Sequence, residues 1–223
     1  MKFFITIKNN SKRVKQKNFQ ILNELPLWKH LIHELHEHNV FVDTDSDLIY
    51  NECKNMDWVT PYLRKQKFID MENSSLSTKT PTLGMIEYFL DTFVEDENEI
   101  IITTHVTSPF LKAKTMLDAT NYLNKGYDSV QSVTRHQGPL WLGEDMKPTN
   151  FDPLIVKRTQ DLPIITLSNG GFFIFKKKTF KEFYNRVGKN PYYYELPSPE
   201  DIEIDTYNDL NLAKLVAQGL KNK

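Results

Sequence analysis

Short apolar, β-prone runs recur along this chain, each breaking into a polar loop and then into apolar residues at helical spacing. No other feature restricts the fold as much. Residues 3–7 give way to a basic loop and, after Pro26, to Trp28, Leu31, Ile32 and Leu35, which share one face of a helix. Residues 40–42 form a second run, closed by Asp43-Thr44-Asp45-Ser46-Asp47, a turn whose Ser and Asp side chains suit a helix N-cap. Thr80 before Pro81 has the N-cap and first-position proline pattern of a helix carrying Met85, Phe89 and Phe93. Residues 99–104 make a strand, 105–110 the loop after it, and Ala113, Met116, Leu117 and Leu123 the next helix. Strands are expected at 129–133, 171–175 and 202–205, with helices through Phe180 to Val187 and through Leu210 to Leu220, and a loop over 191–199.

Strand alternating with helix predicts an α/β domain with a predominantly parallel sheet covered on both faces. Ligands in such folds bind beyond the C-terminal ends of the strands. Three polar segments fall at such ends, 8–18, 43–47 and 105–109, and are expected to converge. Residues 135–162 interrupt the pattern with Gly138-Pro139, Gly143, Pro148 and Pro153, and read as an insertion in a single domain spanning 1–223.

The remaining composition excludes several classes. No apolar run approaches the roughly 20 residues that span a bilayer, and residues 1–7 pass at once into Lys8-Asn9-Asn10, so neither membrane insertion nor a secretory signal is expected. With 28 basic against 29 acidic residues, no global field draws the chain to nucleic acid. The single cysteine, Cys53, cannot form an internal disulfide, which fits a reducing, cytoplasmic compartment.

The segment 8–18 carries five cationic side chains in eleven residues directly after a strand. Backbone N–H groups of such a turn can ring an anion while Lys and Arg neutralise a polyphosphate; the same composition also describes a solvated basic loop, and the glycines of a Walker motif are absent. Near the C-terminus Glu203 and Asp205, two apart on the expected strand, would point the same way and could share a divalent cation. Asp209 has capping-box spacing from Thr206. The histidines at 30, 33, 36 and 38 lack zinc-site spacing and read as surface residues. His105, in a loop at a strand end, reads either as a ligand contact or as a structural imidazole. Tyr192-Tyr193-Tyr194 fits stacking on a base or packing against a partner subunit equally well.

The order Ile-Thr-Ile-Lys-Asn-Asn-Ser-Lys-Arg-Val-Lys-Gln-Lys-Asn, residues 5–18, resembles the N-terminal signature of the acylneuraminate cytidylyltransferase family, with Ser11, Lys12, Arg13, Lys17 and Asn18 matching. Lys8 stands where the family has Arg, and Asn9 and Asn10 where it often has Gly or a Gln-Asn pair. The likeness continues in register through Leu25-Pro26-Leu27, Val42 to Ser46, Arg64, Val106 to Phe110, Tyr127 to Val130, Arg158 to Pro163, Asn169-Gly170-Gly171 and Glu203 to Leu210.

The resemblance implies a Rossmann-like, three-layer nucleotidyltransferase fold and in-line attack of an acceptor hydroxyl on the α-phosphorus of CTP. It assigns Lys17, Lys12 and Arg13 to the reacting phosphates, Lys8, Asn10, Ser11, Asn18 and Arg64 to the nucleotide, and His105, Thr107, Ser108, Arg158, Gln160 and Asn169 to the acceptor. Asp205 and Glu203 would hold Mg²⁺, and residues 135–162 would pair two copies as a homodimer. The acceptor so implied is a nine-carbon acidic sugar of sialic, legionaminic or pseudaminic type. Departures at Lys8 and His105 keep a phosphonate or another phosphorylated acceptor open, and the replaced glycines a CTP-binding module without catalysis.

Overall fold

A computed structural model of the chain describes residues 1–74 and 81–221. It opens with strand β1 (Lys2–Ile7), in which Phe3, Ile5 and Ile7 face one side and Phe4 the other, the period-2 pattern of a strand buried on both faces. After the basic loop, two-residue strands β2 (Ile21–Leu22) and β3 (Leu25–Pro26) pair and lead into helix α1 (Leu27–Glu34). Strand β4 (Val40–Thr44) then passes to α2 (Asp47–Cys53), where Ser46 is the N-cap and its Oγ accepts from Ile49 N at 3.4 Å. Next come β5 (Val59–Leu63), α3 (Gln66–Asn73), α4 (Thr82–Phe93), β6 (Ile100–Thr104) and α5 (Ala113–Thr120). The second half holds β7 (Ser129–Gln137), the short pair β8 (Trp141–Leu142) and β9 (Lys147–Pro148), β10 (Ile164–Lys176), α6 (Lys177–Phe183), β11 (Pro191–Glu195) and α7 (Tyr207–Lys221).

Seven strands form one sheet in the order β11-β7-β10-β6-β1-β4-β5. Neighbours are parallel except at β10, which runs against both β6 and β7. The expected three-layer α/β fold is present: one face buries Trp28, Leu31 and Ile32 of α1 with Met116 of α5, and the other buries Met85, Phe89 and Leu90 of α4 with Phe180 of α6. A third apolar cluster joins Val14 of the basic loop and Leu22 and Leu27 to Ile204 and to Leu210, Ala213 and Ala217 of α7. Among the described residues no helix is long and apolar enough to cross a membrane.

Three expectations need correction. Residues 202–205 form no strand, because Ile204 N donates to Thr107 O and Asp205 N to the Asp209 carboxylate, so these donors serve a loop and a helix cap rather than a ladder. Residues 191–195 are a strand, not a loop: β11 pairs in parallel with β7, and its Tyr192 stacks on Tyr122 with ring centroids 3.5 Å apart. Strand β5 and helix α3 lie where no element was expected. The expected cap at Thr80 lies outside the described residues, and Pro81 occupies the N-cap position of α4. The segment 135–162 stands on extensions of β7 and β10, paired from Ile164↔Gln137 to Ser168↔Val133 before an irregularity between Ser168 and Phe173.

Candidate active site

Strands β6, β1 and β4 are adjacent and parallel, so the loops after them leave the same edge of the sheet. A cleft of about 590 Å³ opens there, and all three loops line it: Lys8, Asn10, Ser11, Lys12, Arg13, Lys17 and Asn18 after β1, Asp45 after β4, His105 to Thr107 after β6. Glu203 closes one side; Glu72 of α3 with Thr82 and Met85 of α4 closes another.

The basic loop is fixed despite its polarity. Val14 is fully buried against α7, and Gln16 takes a left-handed conformation (φ 48°, ψ 44°) that turns the chain into a short 3₁₀ turn, Lys17–Phe19. That turn buries Lys17 and Asn18. Lys17 Nζ donates to Ile204 O at 2.8 Å and to Asp205 Oδ1 at 3.1 Å, while Arg13 Nη2 reaches the same Asp205 oxygen at 2.7 Å. Asn18 Nδ2 donates to Lys8 O at 2.7 Å, which leaves its buried Oδ1 without a partner among the described residues. Lys8 pairs with Glu72 at 2.8 Å, and Asn9 N donates to Asp45 Oδ1 at 2.6 Å.

The two acids at 203 and 205 do share a neighbourhood, although no strand aligns them. Glu203 accepts from Thr107 Oγ1 at 3.4 Å, and burial followed by repulsion from Asp205 pushes its carboxyl up. A Cβ at residue 170 would meet the Glu203 carboxylate at 3.1 Å, and φ there is +67°, so glycine at this position answers both a left-handed turn and a close approach. Asp209 caps α7, accepting from Thr206 N at 2.7 Å and from Asp205 N at 3.0 Å. His105 is pushed down to about 4 by burial and by the nearby cations of Arg186, Lys17 and Lys8, so at neutral pH it is an uncharged imidazole able to donate and accept.

Other candidates stand away from the cleft wall. Arg64, with a side chain fully out of solvent, donates from Nε to Asp43 Oδ1 at 2.5 Å and from Nη1 to Glu72 Oε2 at 2.8 Å; it braces the end of β4 and the cleft residue Glu72 and is not itself on the wall. Ser108 is buried in the turn after β6. Asn169 bridges Ser132 and Thr134 at the irregularity in β10, next to the glycine that cradles Glu203. Arg158 and Gln160 lie exposed on the arm, where Arg158 pairs with Asp161 at 2.8 Å. Glu72, Thr82 and Met85 carried no readable signal, since their place depends on how α3 and α4 pack beyond the strand ends.

A cytidylyltransferase family model matches residues 5–219. The N-acylneuraminate cytidylyltransferase of Oncorhynchus mykiss is 28% identical over 215 residues, covering 90% of this chain and 47% of that protein. The protein of that name from Streptococcus agalactiae serotype III is 26% identical over 219 residues, covering 92% of this chain and 50% of that protein. This chain thus spans about half the length of the curated relatives it matches. Among solved structures, a CMP:2-keto-3-deoxy-manno-octonic acid synthetase complexed with CTP superposes with a TM-score of 0.62 at 11% identity, over 97% of this chain and 98% of that one. That likeness shows the fold alone; the match over residues 5–219 shows more, and the chain belongs to the cytidylyltransferase family.

Proposed function

We propose that this chain transfers CMP from CTP to an acidic nine-carbon sugar of sialic, legionaminic or pseudaminic type, releasing pyrophosphate. One observation carries the reading: Lys8, Lys12, Arg13 and Lys17 line a single cleft with Glu203, and Asp205 bonds two of those cations. The acceptor hydroxyl forms the new bond to the α-phosphorus and gives its proton to water as the bond to the bridging oxygen of pyrophosphate breaks. Lys17, buried and held by a backbone carbonyl, is placed to meet charge that grows on the α-phosphate. Lys12 and Arg13, exposed at the mouth, serve the outer phosphates, with Ser11 and Asn10 beside them. The unpartnered Asn18 Oδ1 is an acceptor for a nucleoside hydroxyl. Neutral His105 and Thr107 face the acceptor end.

Among the described residues no three His, Cys, Asp or Glu side chains converge as a metal cage. Two carboxylates suit Mg²⁺, which takes one or two from the protein and completes its sphere with phosphate and water. Burial first and repulsion from Asp205 second push the Glu203 carboxyl up, and a cation held between the two acids would offset both. We therefore assign Mg²⁺ to Asp205 and Glu203, where it would neutralise phosphate charge.

The arm exposes Leu154 at 91% and Val156 at 100%, and Leu142 and Met146 of the same arm are exposed too, apolar surface that suits a second copy of the chain. A homodimer through this arm is the arrangement we propose, and with it a role for Arg158 and Gln160 at the acceptor. A cytoplasmic setting is part of the same proposal, and the buried free thiol of Cys53 supports it.

Pyrophosphate release with CTP, Mg²⁺ and a panel of acidic sugars and phosphonates tests the reading. Turnover with a nonulosonic acid is the expected result. Turnover confined to phosphonates overturns the acceptor class, and tight CTP binding without turnover overturns the enzyme.

A further inference from the structure

Among the described residues three acids line the cleft, Asp45, Glu72 and Glu203. In a cleft that is to take a polyphosphate, a carboxylate repels the ligand unless it faces a cation or a donor. Asp45 accepts from Asn9 N, and Glu203 stands with Asp205 where Mg²⁺ is assigned. Glu72 has neither place. Its Oε1 pairs with Lys8 Nζ and its Oε2 with Arg64 Nη1, both at 2.8 Å, and its side chain keeps 12% exposure on the cleft wall. Arg64 is itself bonded to Asp43, so Glu72 is fixed by a braced partner. A carboxylate offers about four lone-pair sites, and two bonds leave it able to accept again.

The order of the strands decides what Glu72 meets. Along β6-β1-β4-β5, His105 follows β6, the basic loop follows β1, and Arg64 follows β5. Glu72, bonded to Arg64, therefore lies across the basic loop from His105. Ile69, Glu72 and Asn73 share one face of α3, and Met85 of α4 lies on the same cleft wall. Two apolar side chains beside a carboxylate suit the flat ring of a base rather than phosphate. With its phosphates ionised, CTP donates only from the amino group of the base and the two ribose hydroxyls. The buried, unpartnered Asn18 Oδ1 answers a hydroxyl. The amino group is left for Glu72.

We infer that Glu72 accepts from the amino group of cytosine and so selects CTP over UTP. The inference rests on the nucleotide half of the function proposed above and is independent of its acceptor. A carboxylate accepts from the cytosine amino group and repels the carbonyl oxygen that uracil carries in its place. Arg64, off the cleft wall, acts through Glu72 as a positioning residue.

The test measures the dissociation constants of CTP and UTP with Mg²⁺ by calorimetry for wild type, Glu72→Gln and Lys8→Met, and needs no acceptor. Wild type is expected to bind CTP about 30-fold more tightly than UTP, the scale of one base-edge contact. Glu72→Gln should bring that ratio below about threefold, chiefly by tightening UTP, because an amide can turn either its N–H₂ or its oxygen to the base. Lys8→Met breaks the same ion pair and keeps the carboxylate, so it should weaken both nucleotides and hold their ratio within about twofold of wild type. A wild type that binds the two nucleotides within about threefold overturns this assignment alone, with no variant required. So does a Glu72→Gln protein that keeps the wild-type ratio, or a Lys8→Met protein that loses it, since either marks Glu72 as a partner for Lys8 and Arg64 only. A wild type that binds neither nucleotide overturns the proposed function and this assignment with it.

Discussion

The loop after β1 and the arm between β7 and β10 invert what their compositions suggest. The loop is strongly basic, yet it is pinned from three directions: Val14 is buried against α7, Lys17 is bonded to Ile204 O, and Asn18 is bonded to Lys8 O. The arm carries Leu154, Ile155 and Val156, yet these are exposed at 91%, 55% and 100%, and its Arg158 side chain pairs with Asp161, three residues away. In the loop the polar atoms are preorganised by an apolar anchor outside the cleft. In the arm Trp141 packs on Phe151 and Leu162 is buried, but the apolar side chains at 154–156 stand in solvent. The basic loop is therefore held in place within one protomer, whereas the tip of the arm leaves Leu154, Ile155 and Val156 in solvent.

The comparison breaks most forcefully at its rigid end. Arg64→Ala leaves Asp43, whose carboxyl burial already pushes up, without its buried partner, and is expected to cost about 3–5 kcal/mol in urea unfolding. A loss below about 1 kcal/mol would show that the β4 end is not braced as described. Lys17→Ala should lower pyrophosphate release by roughly 10²–10³-fold, the scale for removing one preorganised cationic donor, with CTP still binding. Retained turnover would move the reacting phosphate elsewhere in the cleft.

Leu154→Asp with Val156→Asp addresses the arm: sedimentation should show self-association weakened at least about tenfold while CTP affinity changes less than about twofold, since distant sites are energetically independent. An unchanged oligomeric state would show that the exposed patch is not the contact. The smallest effect concerns His105. Its folded pKa lies near 4 against an ordinary 6.5, so the unfolded chain takes up a proton that the folded chain refuses. The stability it contributes is present above pH 6.5 and is lost as pH falls towards 4. His105→Asn should flatten that part of the stability profile relative to wild type, and parallel profiles would place the imidazole in solvent.

The central strands were legible because β1, β4 and β6 are short apolar runs bounded by polar residues, the pattern that burial on both faces of a parallel sheet demands. The Ser46 cap and the Thr206–Asp209 capping box were legible for a similar reason, since both act over three residues. β11 was hidden by Tyr192-Tyr193-Tyr194 between prolines, and its strand character comes from Tyr122 and β7, far away in sequence. The misplaced strand at 202–205 has the converse cause: the run is apolar enough at Ile204, but its donors are claimed by Thr107 and Asp209.

What the sequence determined by itself is the alternating α/β plan and the presence of polar loops at the strand ends, because hydrophobic period and capping are local properties of the chain. Only the tertiary structure decided which charges meet. It set Arg13 and Lys17 on one oxygen of Asp205, some 190 positions along the chain, turned Arg64 inward onto Asp43 and Glu72, and laid Arg186 over the Phe173 ring. Charge pairing acts over a few ångströms of space with no fixed spacing in sequence, so it becomes visible only once the sheet has brought the loops together.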